Sequence, residues 1–303
     1  MKTILTFVLA SAFTASGATA QPPRDQLVIS AAWLQQHASD ANLVLLHVGN
    51  KATYDAGHIP GARYVDYTST LTSNTNANGL TLEMLPADAL HDRLAALGIS
   101  DNSRVVVYES DDMWTPSTRV MLTLDYAGLS NVSWLDGGQK AWVAAGGKLT
   151  ADVLQVQSGQ LAALKLRPVV VGAEFVQAHL NTPGYAIVDS RATAFYDGSR
   201  TGGRSPNEHK TGHIAGAVNV PFDSFTQPDV MLKPASEIAA TFTTAGVKPG
   251  DTVVTYCHIG QQATATLFAA RTLGYKVMLY DGSFEDWSKR NLPVENPAAK
   301  KDW

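Results

Sequence analysis

The sequence predicts an α/β protein with two tandem domains, each a parallel sheet flanked by helices. Two observations carry this prediction. The order helix, strand, loop, helix, strand, helix occurs twice along the 303 residues, and a Gly-His-Ile segment occurs once in each half, at residues 57–59 and 212–214. Strands that alternate with helices are typical of parallel sheets. We place the domains at residues 21–155 and 156–303, joined by the polar linker 149–167.

The first half is predicted from short apolar runs and from helical spacing of apolar residues. Runs of Leu, Val and Ile bounded by polar residues predict buried strands, and Ser30 is a suitable N-cap for the first helix. A stretch rich in Asn, Thr and Ser at residues 68–79 indicates a surface loop. We expect helices at residues 30–37, 88–97, 118–126 and 139–145, and strands at 43–48, 104–108 and 132–138.

The second half repeats this order. Helices are expected from residue 171 to 177 and from 263 to 273, and Gly274 suits the end of the latter because glycine tolerates left-handed backbone angles. Strands are expected at residues 186–191 and 252–256. A final strand and helix span residues 277–287, which correspond to residues 132–142 of the first half.

The only cysteine, Cys257, lies between the strand that ends at Tyr256 and the helix that begins at Ala263. The N–H groups of such a loop and of the helix N-terminus direct partial positive charge towards it. That charge favours the thiolate, which is the nucleophilic form. A lone cysteine is also a common small buried side chain, so both roles stay open here. Glu109 holds the corresponding position in the first half, which therefore has no nucleophilic thiol.

The N-terminus predicts a cleaved signal peptide. Lys2 precedes an apolar run at residues 4–15, and Ala18-Thr19-Ala20 is a small-x-small cleavage pattern. The run is shorter than the ~20 residues that span a bilayer, so we expect no stable membrane insertion. We assign residues 1–20 to the signal peptide, with cleavage after Ala20 and a periplasmic or secreted location. The net charge of −4 disfavours a nucleic-acid partner, which requires a basic surface.

Three features together resemble the tandem-domain rhodanese family of sulfurtransferases over essentially the whole chain after residue 20. They are the repeated Gly-His-Ile-x-Gly-Ala segments, the strand-Cys-loop-helix at Cys257, and the two Asp-Gly-x-x-x-x-Trp endings at residues 136–142 and 281–287. The resemblance implies two rhodanese-like domains, of which the first is inactive and helps to form the cleft. It implies that Cys257 takes sulfur from thiosulfate or 3-mercaptopyruvate and passes it to cyanide or a thiol. No metal or organic cofactor is needed.

The resemblance also implies roles for the residues around Cys257. The N–H groups of the loop would stabilise the thiolate and the persulfide anion. Arg191, at the end of a strand, would bind the anionic donor; the alternative is a solvated surface arginine. Arg200 and Arg204 are further candidates for an anion contact. The loop residues are His258, Ile259, Gly260, Gln261, Gln262 and Ala263. His58 and His213 are expected to make structural hydrogen bonds, because both halves carry them.

The loop departs from the family patterns. Thiosulfate-specific members usually have a basic residue after the cysteine and mercaptopyruvate-specific members have Gly-Ser-Gly, whereas this chain has His258-Ile259-Gly260. Two roles are open for His258: a protonated ring would favour the thiolate, or the ring would simply face solvent. Two roles are likewise open for Gln261 and Gln262: their side chains would donate hydrogen bonds to a sulfonate, or they would shape the rim of the loop. We expect thiosulfate as the donor because a donor-rich loop suits a sulfonate-like dianion, with 3-mercaptopyruvate as the alternative.

Other functions are weighed against the same residues. Related phosphatases use Cys-x5-Arg, but Ala263 stands where that arginine would clamp a phosphate, so a phosphatase is disfavoured. A non-enzymatic persulfide carrier or binding protein would also retain Cys257, and a purely structural module would retain it without chemistry. The accessibility and ionisation of the thiol discriminate between these alternatives. The sequence does not set the oligomeric state.

Overall fold

The computed structural model describes residues 23–73, 79–204 and 207–300. The predicted signal peptide and its cleavage site lie outside the described residues. Within the described ranges, no helix is long and apolar enough to cross a membrane.

The first domain is built on a five-stranded parallel sheet. Its strands lie in the order β1-β7-β6-β2-β3. The strands are β1 (Val28–Ile29), β2 (Leu43–Val48), β3 (Ala62–Val65), β6 (Arg104–Glu109) and β7 (Val132–Leu135), with a short hairpin of β4 (Thr72–Ser73) and β5 (Glu83–Met84) beside it. The helices are α1 (Arg24–Leu27), α2 (Ala31–His37), α3 (Lys51–Ala56), α4 (Ala87–Ala96), α5 (Thr115–Tyr126) and α6 (Gly138–Ala144).

The second domain repeats this sheet with equivalent strands in the order β13-β9-β14-β15-β8. These strands are β8 (Val170–Val171), β9 (Tyr185–Asp189), β13 (Val218–Asn219), β14 (Thr252–Tyr256) and β15 (Lys276–Tyr280). Two short pairs lie apart from the sheet: β10 (Gly203–Arg204) with β11 (Asn207–Glu208), and β12 (His213–Ile214) with β16 (Val294–Glu295). The helices are α7 (Ala173–His179), α8 (Thr193–Tyr196), α9 (Ala235–Thr244), α10 (Ala263–Thr272) and α11 (Ser283–Lys289), with 3₁₀ turns at Phe222–Ser224 and Ala298–Lys300.

Both faces of each sheet are covered. In β2, Val44 and Leu46 belong to one apolar cluster while Leu45 belongs to another, because successive side chains of a strand point to opposite faces. β14 shows the same alternation, with Val253 and Val254 in different clusters. Burial on both faces explains why these strands read as continuous apolar runs. The predicted α/β architecture with two tandem parallel-sheet domains is confirmed.

Most long elements lie where the sequence predicts them, and the short ones do not. α5 begins at Thr115, earlier than the predicted residue 118, because Pro116 lies in its first turn, where a missing N–H costs nothing. The predicted surface loop at 68–79 contains the buried strand β4. The two-residue strands were not predicted, since they are too short to show any periodicity.

The two domains pack through equivalent helices, α5 and α10, which run side by side in the same direction. The hydroxyls of Thr118 and Thr264 lie 2.8 Å apart, and Arg271 Nη2 donates to Asp125 at 3.0 Å. Both pairs are separated by 146 residues, so the helices are aligned in register. Each helix follows the end of a central strand. The start of α5 therefore lies beside the loop that precedes α10.

The predicted linker follows the surface of the first domain. Residues 151–167 form no helix or strand. The N–H of Gly159 donates to the carbonyl of Ala95, and the N–H of Arg167 donates to that of Tyr126. The boundary predicted between residues 155 and 156 falls inside this segment.

Candidate active site

Cys257 follows the last residue of β14 and is 1% exposed. Its N–H donates to the hydroxyl of Ser283 at 3.2 Å. Burial by itself suits an inert buried cysteine as well as a protected nucleophile. The orientation of the neighbouring peptide groups separates these two roles.

Several carbonyl groups of the loop are held by hydrogen bonds from outside it. The carbonyls of Cys257 and His258 each accept a bond of 3.0 Å, from the N–H groups of Phe284 and Glu285 in the first turn of α11. The carbonyl of Gly260 accepts from Nη1 of Arg119, in the first domain, at 3.1 Å. These bonds fix the planes of three peptide groups.

Fixing the carbonyls also fixes the N–H groups that follow them. In a trans peptide the C=O and the next N–H point in opposite directions, so the N–H groups of His258, Ile259 and Gln261 point away from these three anchors. Among the described residues, no N–H group of residues 258–263 donates to another protein group. A row of unpaired N–H groups at a helix N-terminus is a binding site for an anion.

Gly260 permits the close turn of this loop. Its φ of +79° lies in the left-handed region, which costs other residues energy. A Cβ atom at this position would lie 2.7 Å from the carbonyl oxygen of Asp281 and 3.0 Å from Arg119 Nη1. The loop therefore requires glycine here, both for its backbone angle and because Arg119 and the Asp281 carbonyl approach this position so closely.

Arg191 lies buried beside the loop rather than on the surface. It is 1% exposed, and its Nη2 donates to Asp189 Oδ2 at 2.6 Å and to the carbonyl of Gly212 at 2.7 Å. Burial lowers its pKa, but the Asp189 carboxylate outweighs burial and raises the pKa above its usual value, with smaller contributions from Tyr256 and Cys257. The alternative of a solvated surface arginine is wrong.

The guanidinium of Arg191 keeps one nitrogen free. Its Nε also donates to Asp189, and its plane lies 4.0 Å from the ring centre of Phe284. Among the described residues, no protein group accepts from Nη1. A fixed cation with a spare donor next to the loop is able to hold an anionic substrate.

Asp189 orders the end of β9. Its Oδ2 accepts from the hydroxyl of Tyr256 at 2.8 Å in addition to Arg191. The Tyr256 hydroxyl in turn accepts from the N–H of Ile214, within the Gly-His-Ile segment. The expected structural role of the paired histidines is confirmed: His58 Nδ1 bonds to the Tyr54 carbonyl and His213 Nδ1 to the Tyr196 carbonyl.

His258 contradicts both of its predicted alternatives. Its half-buried ring is held against other side chains rather than free in solvent: it packs edge-on against Phe195 and lies against His209, with the two Nδ1 atoms 3.3 Å apart. It is not protonated either, since burial and then the charge of Arg191 lower its pKa to about 3. Burial likewise lowers the pKa of His209 to about 4. Neutral His258 therefore shapes the loop and contributes its N–H group.

The two glutamines differ from each other. Nε2 of Gln261 donates to the hydroxyl of Thr115 in the first domain at 3.1 Å, which supports the alternative that this side chain shapes the loop. Oε1 of Gln262 is buried, and no group of the described chain donates to it. Half-buried Ile259 and buried Ala263 complete the loop, and their backbone N–H groups are unpaired as described above.

An insertion covers one side of the site. In the first domain two residues separate Tyr54 from Gly57, whereas fifteen separate Tyr196 from Gly212; both tyrosines stack on the histidine of their Gly-His-Ile segment. The insertion brings His209 against His258. Arg200 is exposed within it, with its guanidinium 4.7 Å from the ring centre of Phe195. The side chain of Arg204 lies outside the part that the structure describes.

The first domain lacks the chemical groups at the matching positions. Glu109 is the last residue of β6 and corresponds to Cys257, which directly follows β14. Its carboxylate is buried and accepts a hydrogen bond of 2.7 Å from Trp134 Nε1. Burial raises the pKa of Glu109 to about 7. The sheet register places His47 opposite Tyr108 and Asp189 opposite Tyr256, so Gly49 corresponds to Arg191. The first domain has neither a thiol nor an arginine at this end of its sheet.

Sequence reasoning missed the residues that reach the loop from elsewhere: Thr115, Arg119, His209, Asp281 and Ser283. Asp281 and Ser283 lie in the Asp-Gly-x-x-x-x-Trp ending, which was used only as a family marker. Arg119 had one available signal, since it is a charged residue directly before an apolar run, residues 120–122, within a predicted helix. No sequence pattern connects it to Gly260.

The fold and the strand-loop-helix site define a class, and comparison with known proteins agrees. The family model described as the rhodanese-like domain matches residues 30–145 and 172–290. The chain belongs to this family and is a tandem-domain, rhodanese-type sulfurtransferase. Its reaction class implies a small-molecule sulfur donor and acceptor.

Particular relatives differ in their named functions. A thiosulfate sulfurtransferase of Azotobacter vinelandii is 30% identical over 271 residues, 89% of this chain and 97% of that protein. The sulfur carrier protein TtuD of Thermus thermophilus is 29% identical over 286 residues, 91% of this chain and 97% of that protein. The crystal structure of SseA from Escherichia coli, a 3-mercaptopyruvate sulfotransferase, superposes with a TM-score of 0.74 at 25% identity, covering 85% of this chain and 98% of that one.

Within the ranges that the structure describes, no group of three or more His, Cys, Asp or Glu side chains is arranged to hold a metal ion.

Proposed function

We propose that this protein transfers the outer sulfur of thiosulfate, through a persulfide on Cys257, to a thiophilic acceptor such as cyanide or a thiol. The observation that carries the proposal is the set of unpaired N–H groups at residues 258–263, held towards the side opposite their anchored carbonyls. An inert buried cysteine has no need of an anion site around it.

Two displacements at sulfur complete the reaction. In the first, the Cys257 thiolate attacks the outer sulfur of thiosulfate, a new S–S bond forms, and sulfite leaves with the electron pair of the broken S–S bond. In the second, cyanide attacks the terminal sulfur and a C–S bond forms; the persulfide S–S bond breaks, its electron pair returns to Cys257 as the thiolate, and thiocyanate is released. Atoms and electrons balance without an external oxidant or reductant.

The residues of the site suit a dianionic donor. Negative charge is spread over the sulfurs as each S–S bond forms and breaks, and fixed N–H donors stabilise such charge in a water-poor site. The free Nη1 of Arg191 adds a cationic donor for the sulfonate-like end of thiosulfate. The relative from Azotobacter vinelandii, named a thiosulfate sulfurtransferase, supports this donor.

Two alternatives have support of their own. The structural likeness to SseA supports 3-mercaptopyruvate as the donor. The likeness to the sulfur carrier TtuD supports a protein that accepts sulfur and passes it only to a specific partner.

Intact-mass measurement tests the proposal directly. The protein is weighed before thiosulfate, after thiosulfate, and again after cyanide. A gain of one sulfur atom that cyanide removes as thiocyanate supports the proposal. Sulfur gained only from 3-mercaptopyruvate supports the first alternative. Sulfur gained from thiosulfate but retained in cyanide supports the carrier. No gain from either donor contradicts a sulfurtransferase that uses these donors.

We also propose that residues 1–20 direct the chain to the periplasm or the exterior and are then removed. The support is the sequence pattern alone. Mass measurement of the protein from the cell-envelope fraction tests this: a mature chain that begins at Gln21 is expected, and a chain that retains Met1 would contradict it.

A further inference from the structure

Arg119 of the first domain occupies an unusual position for a charged side chain. It is 0% exposed, and it lies in the middle of the interface between the two domains. Its Nη1 donates to Asp281 Oδ1 at 2.6 Å and to the carbonyl of Gly260 at 3.1 Å. Its Nη2 donates to the carbonyl of Leu82. One side chain thus joins the catalytic loop, the end of β15 and the β4–β5 region.

A buried arginine carries a large desolvation cost, which an ion pair offsets only in good geometry. Asp281 supplies the opposite charge, and it is fixed in turn by the N–H of Met84 at 2.8 Å. The ion pair alone would satisfy the charge. The additional bond from Nη1 to the Gly260 carbonyl is therefore a separate feature, directed at the backbone of the loop.

The bond to Gly260 has a consequence inside the loop. Gly260 and Gln261 share one planar peptide group, so holding the Gly260 carbonyl outward turns the Gln261 N–H to the opposite side. The anchors of the Cys257 and His258 carbonyls come from α11 in the second domain. The anchor of the Gly260 carbonyl comes from the first domain.

Thr115 supports the same part of the loop. Its hydroxyl accepts from the side chain of Gln261, and it opens the helix that carries Arg119. Helix α5 thus contacts both the backbone at Gly260 and the side chain of the next residue.

We propose that Arg119 is a positioning residue for sulfur transfer: through the Gly260 carbonyl it orients the Gln261 N–H towards the sulfur anion at Cys257. The catalytic loop is then complete only when the first domain is docked against it. This inference rests on the proposed function of Cys257.

Arg119→Lys tests the inference because it keeps the charge next to Asp281 but cannot serve Asp281, Gly260 and Leu82 together. Arg271→Lys is a matched control. Arg271 is also buried, and it also crosses the interface to an α5 carboxylate, Asp125. It makes no hydrogen bond to the loop. Both variants weaken an ion pair between the domains, and only one removes the anchor of the loop.

The measurements are urea unfolding and single-turnover persulfide formation at several thiosulfate concentrations. We expect similar losses of unfolding free energy in the two variants. We expect the maximal rate of persulfide formation to fall at least about tenfold in Arg119→Lys, since loss of one oriented anion donor typically costs ~10²–10³ in kcat. The thiosulfate concentration at half-maximal rate should change little, because Arg191 is unaltered. Arg271→Lys should retain the wild-type rate.

Each outcome separates the inference from the function on which it rests. A folded Arg119→Lys variant that forms the persulfide at the rate of Arg271→Lys overturns the positioning role and leaves the proposed function intact. Wild-type protein that gains no sulfur overturns the proposed function itself. If Arg119→Lys does not fold, the two single variants Gln261→Ala and Thr115→Val test the other contact of α5 with the loop, the hydrogen bond from Gln261 to Thr115. An unchanged rate of persulfide formation in both variants counts against positioning by the first domain.

Discussion

The two domains share their framework and differ at one end of the sheet. In each, a tyrosine at the end of the central strand accepts from the N–H of the isoleucine in the Gly-His-Ile segment, Tyr108 from Ile59 and Tyr256 from Ile214. Beyond that tyrosine the second domain has Cys257, with Arg191 two residues after the end of the neighbouring strand β9. The first has Glu109 and Gly49.

This difference shows that the repeated motifs maintain the fold and do not by themselves create a site. In both halves the histidine bonds through Nδ1 to the carbonyl of the tyrosine on which it stacks, and the strand tyrosine accepts from the N–H of the isoleucine. The two domains differ at two positions near the carboxyl ends of adjacent strands, where parallel sheets usually bind ligands, and the proposed chemistry rests on these positions. The first domain keeps the fold, and at the interface its Arg119 and Thr115 contact the loop of the second domain.

The largest effect on sulfur transfer is expected from removing the thiol that distinguishes the second domain from the first. Cys257→Ser should reduce sulfur transfer to the background rate, because a serine hydroxyl cannot form the persulfide. The fold should persist, since the substitution changes one buried atom. Thiocyanate production measures the activity and urea unfolding measures the fold. Substantial thiocyanate production by the serine variant would contradict the role of Cys257.

Removing the arginine should have the next largest effect. Arg191→Lys should raise the KM for thiosulfate by about tenfold or more, because a lysine lacks the planar fork that bonds Asp189 and leaves a spare donor. Arg191→Ala should in addition cost about 3–5 kcal/mol of unfolding free energy, since it leaves the buried Asp189 carboxylate without its partner.

Steady-state kinetics and urea unfolding of both variants test these effects. An unchanged KM for thiosulfate in a folded Arg191→Lys variant would remove Arg191 from donor binding.

Acid should destabilise both domains through buried neutral histidines. Burial lowers the pKa of His47 in the first domain and of His209 in the second to about 4. Both titrate near 6.5 when unfolded, so below pH 6.5 the unfolded chain binds protons that the folded chain excludes. Stability is then fully present above about pH 6.5 and falls as the pH decreases towards 4, by at most about 1.4 kcal/mol per pH unit for each group.

His209→Asn and His47→Asn should each flatten the acid side of the stability profile, measured by urea unfolding between pH 7 and pH 5. His258, with a pKa lowered to about 3, should add no inflection to the rate of sulfur transfer near pH 6.5. An inflection there that disappears in His258→Asn would show that the ring is protonated in the folded protein.

The smallest effect on activity is expected at Glu109. Glu109→Gln should leave sulfur transfer within about twofold of wild type, because the carboxyl lies in the domain without a thiol. Its stability should nevertheless respond to pH. Burial raises the pKa of Glu109 to about 7, above the ~4.3 of an unfolded glutamate, so wild-type stability falls as the pH rises between these values.

Glu109→Gln should remove that decline. The unfolding free energy of the variant should therefore compare more favourably with that of wild type at pH 8 than at pH 5. Thiocyanate assays and urea unfolding at the two pH values provide the check. A large loss of activity in this variant would mean that the first domain does more than support the loop.

Several features could be predicted from local sequence. The strands β2 and β14 have the predicted bounds, since continuous Val and Leu runs have few alternatives to a buried strand. The position of Cys257 at a strand–helix junction also followed from neighbouring residues. The state of His258 did not, because it depends on contacts with His209 in the insertion and with Phe195 in α8, and both are far from His258 in sequence.

The sequence by itself determined the repeat, the α/β class and the position of the one cysteine, on which the proposed sulfur transfer depends. These features are encoded by side-chain periodicity, turn residues and residue chemistry over short stretches of chain. Only the tertiary structure decided which groups hold the loop. Arg119 reaches Gly260 across 141 residues and Asp281 across 162, and such contacts arise from the docking of two domains whose register no local pattern specifies.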